Sequence, residues 1–156
     1  MKERILFVCL GNICRSPAAE GVLRKMAEEL GLSERLDIDS CGMGGWHTGQ
    51  LPDHRMRRCG ALHGYRFDHR ARQIEAADFD RFDRLLAMDA DNYRGLMRLA
   101  RTPGQKQKVE MLADYMSEHP GQVQIPDPYY GDASDFELAL ELIEDACRGL
   151  LRGLLA

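Results

Sequence analysis

Cys9 and Arg15 are separated by five residues within the segment 8–17, which reads VCLGNICRSP. This segment lies where an apolar run ends and a helix is predicted to begin. A strand-to-helix turn directs consecutive backbone N–H groups at one point, and the helix dipole adds partial positive charge there. A thiol at a helix N-terminus beside a cation ionises more readily than a free thiol. The spacing therefore favours a site that holds a tetrahedral oxyanion over a thiolate.

The same turn supplies donors for three phosphoryl oxygens. We predict that backbone N–H groups and the planar guanidinium of Arg15 bind them, the guanidinium as a bidentate fork that lysine cannot reproduce. Ser16 can donate to the sulfur of Cys9, and Gly11 permits close backbone approach. The residues of this predicted phosphate-binding loop are Leu10, Gly11, Asn12, Ile13, Cys14 and Arg15. A Cys-x5-Arg pair also arises by chance, and a cysteine that ends a buried strand is often only a packing residue.

The elements that must position this loop alternate short apolar runs with longer amphipathic stretches, a pattern typical of an α/β domain. A buried strand is predicted over 5–8, and Ser16 and Pro17 are predicted as the cap and first residue of a helix that ends at Gly31. Further strands are predicted over 36–40, 84–88 and 109–112, and helices over 52–62 and 89–99. A last helix is predicted to open with Ser134-x-x-Glu137 as a capping box.

Composition and charge limit the possible functions. The 156 residues fit one domain, 1–156, and 44% apolar with 29% charged residues are typical of a globular protein. A net charge of −4 argues against general nucleic-acid binding. Six arginines lie within 55–72 against one acid, Asp68, so this segment either attracts anionic substrates or forms a solvated helix face.

The five cysteines are odd in number and contain no CxxC pair, so neither a disulfide framework nor a structural zinc site is predicted. The apolar stretch at 5–10 is short and is followed by Gly11 and Arg15, which is unlike a signal peptide. No membrane-spanning segment is predicted, and the cytoplasm is the expected compartment.

Residues 8–17 resemble the signature of the low-molecular-weight protein tyrosine phosphatases. The likeness continues through Trp46-His47, through 69–72, through Met88-Asp89 and through the Asp-Pro-Tyr-Tyr segment at 127–130, and it covers essentially the whole chain. The resemblance implies a four-stranded parallel sheet with helices on both faces and the phosphate loop between the first strand and the first helix. It also implies hydrolysis of phosphotyrosine monoesters without a cofactor or a metal.

The resemblance implies a role for each matching residue. Cys9 would be the nucleophile that forms a cysteinyl-phosphate, and Arg15 would bind the phosphoryl group. Asp127 would protonate the leaving phenolate and then act as the base on the attacking water. The residues that would brace the loop by hydrogen bonds are Asn12, Ser16, Ser40 and His69.

The resemblance also implies a deep slot for an aromatic ring. Its walls would be Ile13, Trp46, Tyr129 and Tyr130. An apolar residue at position 13 is similar to the phosphotyrosine-specific branch, whereas a related branch that acts on phosphoarginine carries threonine there. In the family, the cysteine that matches Cys14 can close a reversible disulfide with the nucleophile; for this chain a packing role is an equal alternative.

One segment departs from the family pattern, because Ser40 is followed by Cys41-Gly42-Met43 where the family commonly has Ala-Gly-Thr. We expect Cys41 to be a buried structural thiol.

Two other functions remain to be compared with phosphotyrosine hydrolysis. Thioredoxin-coupled arsenate reductases share the fold and the loop, but they pass oxidation to a downstream pair of cysteines, and only Cys59 and Cys147 follow residue 41 here. A phosphoprotein-binding module without turnover is disfavoured by the intact set Cys9, Arg15 and Asp127.

The partners implied are phosphotyrosine proteins and a cognate tyrosine kinase, which the sequence does not name. The chain is expected to be a monomer that binds neither nucleic acid nor membrane.

Overall fold

A computed structural model describes residues 2–156 and contains a four-stranded parallel sheet. The strands are β1 (Glu3–Cys9), β2 (Leu36–Gly42), β3 (Arg84–Ala87) and β4 (Val109–Met111), in the spatial order β2-β1-β3-β4. The central strand β1 pairs with β2 on one side and with β3 on the other, and all its residues from Ile5 to Cys9 are buried. Burial on both faces explains why this strand is a continuous apolar run rather than an alternating one.

Helices cover both faces of the sheet, as predicted. They are α1 (Arg15–Glu29), α2 (His54–Leu62), α3 (Asp78–Arg81), α4 (Ala90–Leu99), α5 (Pro103–Gln107) and α6 (Ala133–Leu155). Ile5 and Phe7 of β1 pack in one core with residues of α1, α2 and α6. Leu6 and Val8 point to the opposite face and pack in a second core with residues of α3 and α4. None of the helices within residues 2–156 has the length and apolar character needed to cross a bilayer.

The predicted starts of the first and last helices were wrong, because residues other than the predicted ones cap them. Helix α1 begins two residues earlier, with Cys14 at the N-cap, so Ser16 lies inside the first turn and its hydroxyl contacts Cys9. The capping box of α6 uses Asp132 and Asp135 instead of Ser134 and Glu137. Asp132 accepts from the backbone N–H of Ser134, and its own N–H donates to Asp135.

A buried carboxylate of α6 holds the segment 117–119 against this helix. Asp145 is fully buried and accepts from the backbone N–H groups of Ser117 and Glu118 and from Nδ1 of His119 at 2.8 Å. The hydrogen bond to Asp145, then that to Glu141, raises the pKa of His119 above its usual value. Because the folded pKa is the higher one, this histidine stabilises the fold at pH values below about 6.5 and the contribution is lost as pH rises through the folded pKa.

The variant His119→Ala is therefore expected to lose more unfolding free energy at about pH 5.5 than at about pH 9, because only the protonated imidazole carries the extra stabilisation. Urea unfolding of wild type and variant at both pH values measures the difference. His54→Ala, which removes an exposed histidine of α2, is the control. An equal loss at both pH values would contradict the assignment.

Candidate active site

The loop between β1 and α1 places Cys9 at the base of a pocket. The thiol is buried, and its Sγ lies 2.9 Å from Oγ of Ser16. The end of β2 supports the loop from below, since the backbone N–H of Met43 donates to the carbonyl of Cys9 at 2.9 Å. A Cβ atom at Gly42 would lie within about 3 Å of loop backbone atoms, so only glycine fits there.

Asn12 organises the loop from within. It is fully buried and has a φ of 58°, a left-handed conformation that asparagine tolerates better than most residues. Its Oδ1 accepts from the backbone N–H of Arg72 at 3.0 Å, which identifies the oxygen side of the amide. Its Nδ2 then donates to Oγ of Ser16 at 2.8 Å and to Oγ of Ser40 at 3.0 Å. Because Ser16 accepts this bond, its own hydroxyl proton can be directed to the sulfur of Cys9 at 2.9 Å or to the carbonyl of Cys41 at 3.3 Å.

A second layer holds Ser40 and His69 against Asn12. Nε2 of His69 lies 3.0 Å from Oδ1 of Asn12, and Nδ1 lies 3.1 Å from Oε1 of Glu20. Ser40 donates to the same Glu20 oxygen at 2.7 Å. Both ring nitrogens of His69 thus face side-chain oxygens of the buried network. The structure brings together all four residues predicted to brace the loop and adds the buried Glu20 of α1.

Replacing Asn12 by alanine is expected to lower both stability and phosphate binding. The change leaves buried donors and acceptors unpaired, which costs roughly 2–4 kcal/mol in unfolding free energy. Asn12→Gly removes the same bonds but accepts the positive φ, so it should be about 1 kcal/mol more stable than the alanine variant. Urea unfolding and inorganic phosphate titration of both variants separate the two effects; wild-type phosphate affinity in either variant would argue against preorganisation.

Arg15 reaches the pocket from the first turn of α1 and is almost completely buried. Its Nη1 donates to Oδ2 of Asp89 at 2.7 Å and to the carbonyl of Ile125 at 2.8 Å. Its Nη2 lies 3.7 Å from Oδ2 of Asp127. Asp89 also caps α4, accepting from the backbone N–H of Asn92 at 2.8 Å. Asp89 and the carbonyl of Ile125 thus hold the guanidinium, and the carboxylate of Asp127 lies beside it.

The pocket above the loop has a volume of about 250 Å³. Asp127 and the predicted aromatic residues stand at its entrance, where Trp46 is 69% and Tyr130 is 95% exposed. The rings of Tyr129 and Tyr130 meet edge to face at 4.9 Å between centroids, and the guanidinium of Arg55 lies 5.4 Å from the Tyr129 ring centre. The lining residues are Cys9, Leu10, Gly11, Ile13, Cys14, Arg15, Trp46, His47, Asp127, Tyr129 and Tyr130.

Cys14 lies in the same pocket and is buried. Burial raises the pKa of its thiol, and the nearby negative charge of Asp53 adds to the effect. Charge on Cys9 and on Asp127 acts in the same direction. The thiol of Cys14 is therefore protonated at rest. Cys41, expected to be a buried structural thiol, is fully buried at the end of β2, and burial raises its pKa as well.

Three polar residues around the pocket were given no role from the sequence, although His47 and Asp89 belong to segments that carry the family resemblance. Asp89 contacts Arg15, Glu20 contacts Ser40 and His69, and His47 lines the pocket. The position of Asp89 in the sequence could have indicated a place at the site. An acid that follows a buried strand and precedes a helix lies at the carboxyl edge of a parallel sheet. Glu20 had no such signal, because an acidic residue on an amphipathic helix is ordinarily solvated.

The fold and the site define an α/β protein in which a buried thiol and a buried guanidinium stand at the two ends of one strand-to-helix loop and line the same pocket. The sequence profile of the low molecular weight phosphotyrosine protein phosphatases matches residues 4–156. A low molecular weight protein-tyrosine-phosphatase of Streptomyces coelicolor is 46% identical over 152 residues, covering 97% of this chain and 93% of the relative. The human low molecular weight phosphotyrosine protein phosphatase is 43% identical over 150 residues, covering 96% and 94%.

The structure is similar to a crystal structure of a protein tyrosine phosphatase from Entamoeba histolytica with Hepes in the active site. The TM-score is 0.95 at 40% identity, and the match covers 99% of this chain and 97% of that chain. The chain belongs to the low molecular weight phosphotyrosine protein phosphatase family. The resemblance noted from residues 8–17 and the predicted sheet with helices on both faces are confirmed.

Proposed function

We propose that this protein hydrolyses phosphotyrosine monoesters of proteins in two steps, through a cysteinyl-phosphate. The observation that supports the proposal is the convergence of the Cys9 thiol, the Arg15 guanidinium and the Asp127 carboxylate on one pocket lined by aromatic rings. Family membership supports the reaction class, and the distances in the pocket support the role proposed for each group.

In the first step, the sulfur of Cys9 attacks phosphorus opposite the ester oxygen. The S–P bond forms as the P–O bond to the phenol breaks, and Asp127 gives its proton to the departing oxygen. The backbone N–H groups of the loop and the fork of Arg15 bind the three equatorial oxygens. The hydroxyl of Ser16, 2.9 Å from the sulfur, donates to the thiolate before attack and after its return.

In the second step, a water molecule attacks the phosphorus of the cysteinyl-phosphate. The Asp127 carboxylate, now deprotonated, takes a proton from this water, the S–P bond breaks and inorganic phosphate leaves. Asp127 is 39% exposed at its side chain, so both the leaving group and the water have access to it. Cys9 leaves the cycle as a thiolate, and no electron is transferred to an external group.

The walls of the pocket favour a flat ring. Tyr129, Tyr130 and Trp46 provide aromatic surface at the entrance, and Ile13 provides an apolar contact inside the loop. The stack of Arg55 on Tyr129 and on Phe136 holds one wall to α6. The partners that follow are phosphotyrosine proteins and the kinase that makes them.

The arsenate reductase alternative has less support. It requires downstream thiols that can reach the pocket, and Cys59 and Cys147 are buried in α2 and α6. Burial raises the pKa of Cys59 to about 12 and that of Cys147 further still. Both are poor candidates for relaying oxidation.

The proposal is tested with purified protein in the presence of a metal chelator. Expected results are vanadate-sensitive hydrolysis of an aryl phosphate and faster dephosphorylation of a phosphotyrosine peptide than of matched phosphoserine or phosphoarginine peptides. Preference for phosphoarginine would overturn the substrate assignment. Thioredoxin-dependent arsenate reduction without phosphatase activity would overturn the reaction class.

Cys14 is proposed to protect Cys9 against irreversible oxidation. Peroxide converts the Cys9 thiolate to a sulfenic acid, and attack by Cys14 forms a disulfide and releases water. We expect thiols to restore the activity of peroxide-treated wild type but not of Cys14→Ser, in which Cys9 is oxidised further. Cys59→Ser, which removes a thiol outside the pocket, should recover as wild type does. Recovery in Cys14→Ser would leave Cys14 with a packing role only.

A further inference from the structure

Outside the pocket, three side chains with metal-binding groups meet where α2 packs against α6. Cys59 lies in the last turn of α2, His63 is the C-cap residue four positions later, and Glu137 lies in the second turn of α6. The sulfur, a ring nitrogen and a carboxylate oxygen all lie within 4.8 Å of one another. Nε2 of His63 is already 2.7 Å from Oε2 of Glu137. The three ligand atoms therefore converge on one point between the two helices.

We propose that Cys59, His63 and Glu137 form a binding site for a divalent cation of the zinc type, which joins the end of α2 to the start of α6. Thiolate, imidazole and carboxylate are the three ligand types that zinc takes from proteins, and a set of three leaves one tetrahedral position for water. Positions i and i+4 of a helix share one face, so Cys59 and His63 need no backbone change to bind one ion. The third ligand comes from a residue 74 positions further along the chain. Cysteine spacing alone therefore did not predict this site.

The surrounding charge favours a cation. The carboxylates of Glu137 and Glu144 both lie close enough to Cys59 to act on it electrostatically, and together they attract a dication. Glu144 is fixed in place by Tyr65, whose hydroxyl donates to it at 2.6 Å. Binding releases the thiol proton of Cys59 to solvent and replaces the hydrogen bond between His63 and Glu137 by a bond from each side chain to the ion.

The two helices that the ion would join both lead to the pocket. At the opposite end of α2, the backbone N–H of its cap residue Asp53 donates to the carbonyl of Ile13 at 2.7 Å. Helix α6 begins directly after the segment 127–130 that carries Asp127 and the two tyrosines. A bound ion therefore stabilises the α2–α6 pair that frames the pocket, without being a group in the reaction.

Cobalt(II) binding tests the proposal in a Cys9→Ser background, which removes the pocket thiol as a competing ligand. We expect one equivalent of cobalt to produce a thiolate charge-transfer band and strong visible bands of tetrahedral geometry. Zinc should displace the cobalt and raise the melting temperature. Adding His63→Ala or Glu137→Gln, both at exposed or half-buried positions, should weaken zinc binding by at least about tenfold.

The matched control is His54→Ala in the same background, since His54 is an exposed histidine in the first turn of the same helix. It should keep the cobalt spectrum and the zinc-dependent rise in melting temperature. Cys59→Ala should abolish the charge-transfer band. The proposal is overturned if the Cys9→Ser protein gives no such band, or if the band survives the loss of Cys59 or His63. Phosphatase activity is not a readout of this experiment, so failure here leaves the proposed hydrolysis untouched.

Discussion

Cys9→Ser is expected to lower kcat for a phosphotyrosine peptide by at least about 10⁴-fold while leaving peptide binding largely intact. A serine hydroxyl is not ionised near neutral pH, so the attacking anion is lost. The loop amides and Arg15, which we propose to bind the phosphoryl oxygens, remain in the variant. The hydroxyl can still pair with Ser16, which lies 2.9 Å from the sulfur in wild type.

Binding in this inactive variant can be followed without a label, because Trp46 is the single tryptophan and lines the pocket. Titration of Cys9→Ser with a phosphotyrosine peptide should change the fluorescence of Trp46, and inorganic phosphate should compete with the peptide. Cys59→Ser, a buried cysteine outside the pocket, should keep wild-type turnover. Substantial hydrolysis by Cys9→Ser would show that Cys9 is not the nucleophile. The same variant can retain phosphotyrosine substrates from a lysate of the source organism.

Asp127→Ala is expected to slow turnover by about 10²–10⁴-fold for substrates with poor leaving groups and by much less for activated aryl esters. A departing alkoxide or unactivated phenolate needs a proton in the transition state, whereas a weakly basic phenolate leaves without one. When the rates for a series of aryl and alkyl phosphates are plotted against leaving-group pKa, the slope should therefore be steeper for the variant. Parallel losses across the series would argue against proton donation by Asp127.

Asp89→Asn is the matched control for this carboxylate. Asp89 contacts Arg15 at 2.7 Å, but the pocket lining includes Asp127 and not Asp89. We expect Asp89→Asn to lower rates uniformly across the leaving-group series, because it loosens the guanidinium without removing a proton donor. A leaving-group dependence in Asp89→Asn equal to that of Asp127→Ala would show that the two acids cannot be separated in this way.

The sheet could be predicted from local pattern because each strand is a short apolar run. β1 was predicted over 5–8 and spans Glu3–Cys9, and β3 was predicted over 84–88 and spans Arg84–Ala87. Helix starts were less predictable, since several polar residues compete for each cap. Ser16 has the right chemistry for an N-cap, but its hydroxyl pairs with Cys9 and Asn12 inside the helix.

The reacting groups could be proposed from short motifs, whereas their supports could not be derived from local pattern. Ser40 and His69 were named only through the family resemblance, and nothing in their own neighbourhoods marks them. Glu20, which joins them, escaped notice because its partners lie 20 and 49 positions away along the sequence. Long-range pairing of this kind becomes visible only when β2 and the segment around 69–72 are placed beside α1.

The contacts of Arg15 bear on how the protein folds. Its guanidinium bonds to Asp89, 74 positions away, and to the carbonyl of Ile125, 110 positions away. Local helix formation in α1 therefore cannot complete the oxyanion site, and chain segments from both halves must dock first. Sheets with such sequence-distant pairing fold slowly relative to their helices. A nascent chain with α1 already formed is thus expected to be inert toward phosphate esters until Ile125 and the segment that follows it have been synthesised.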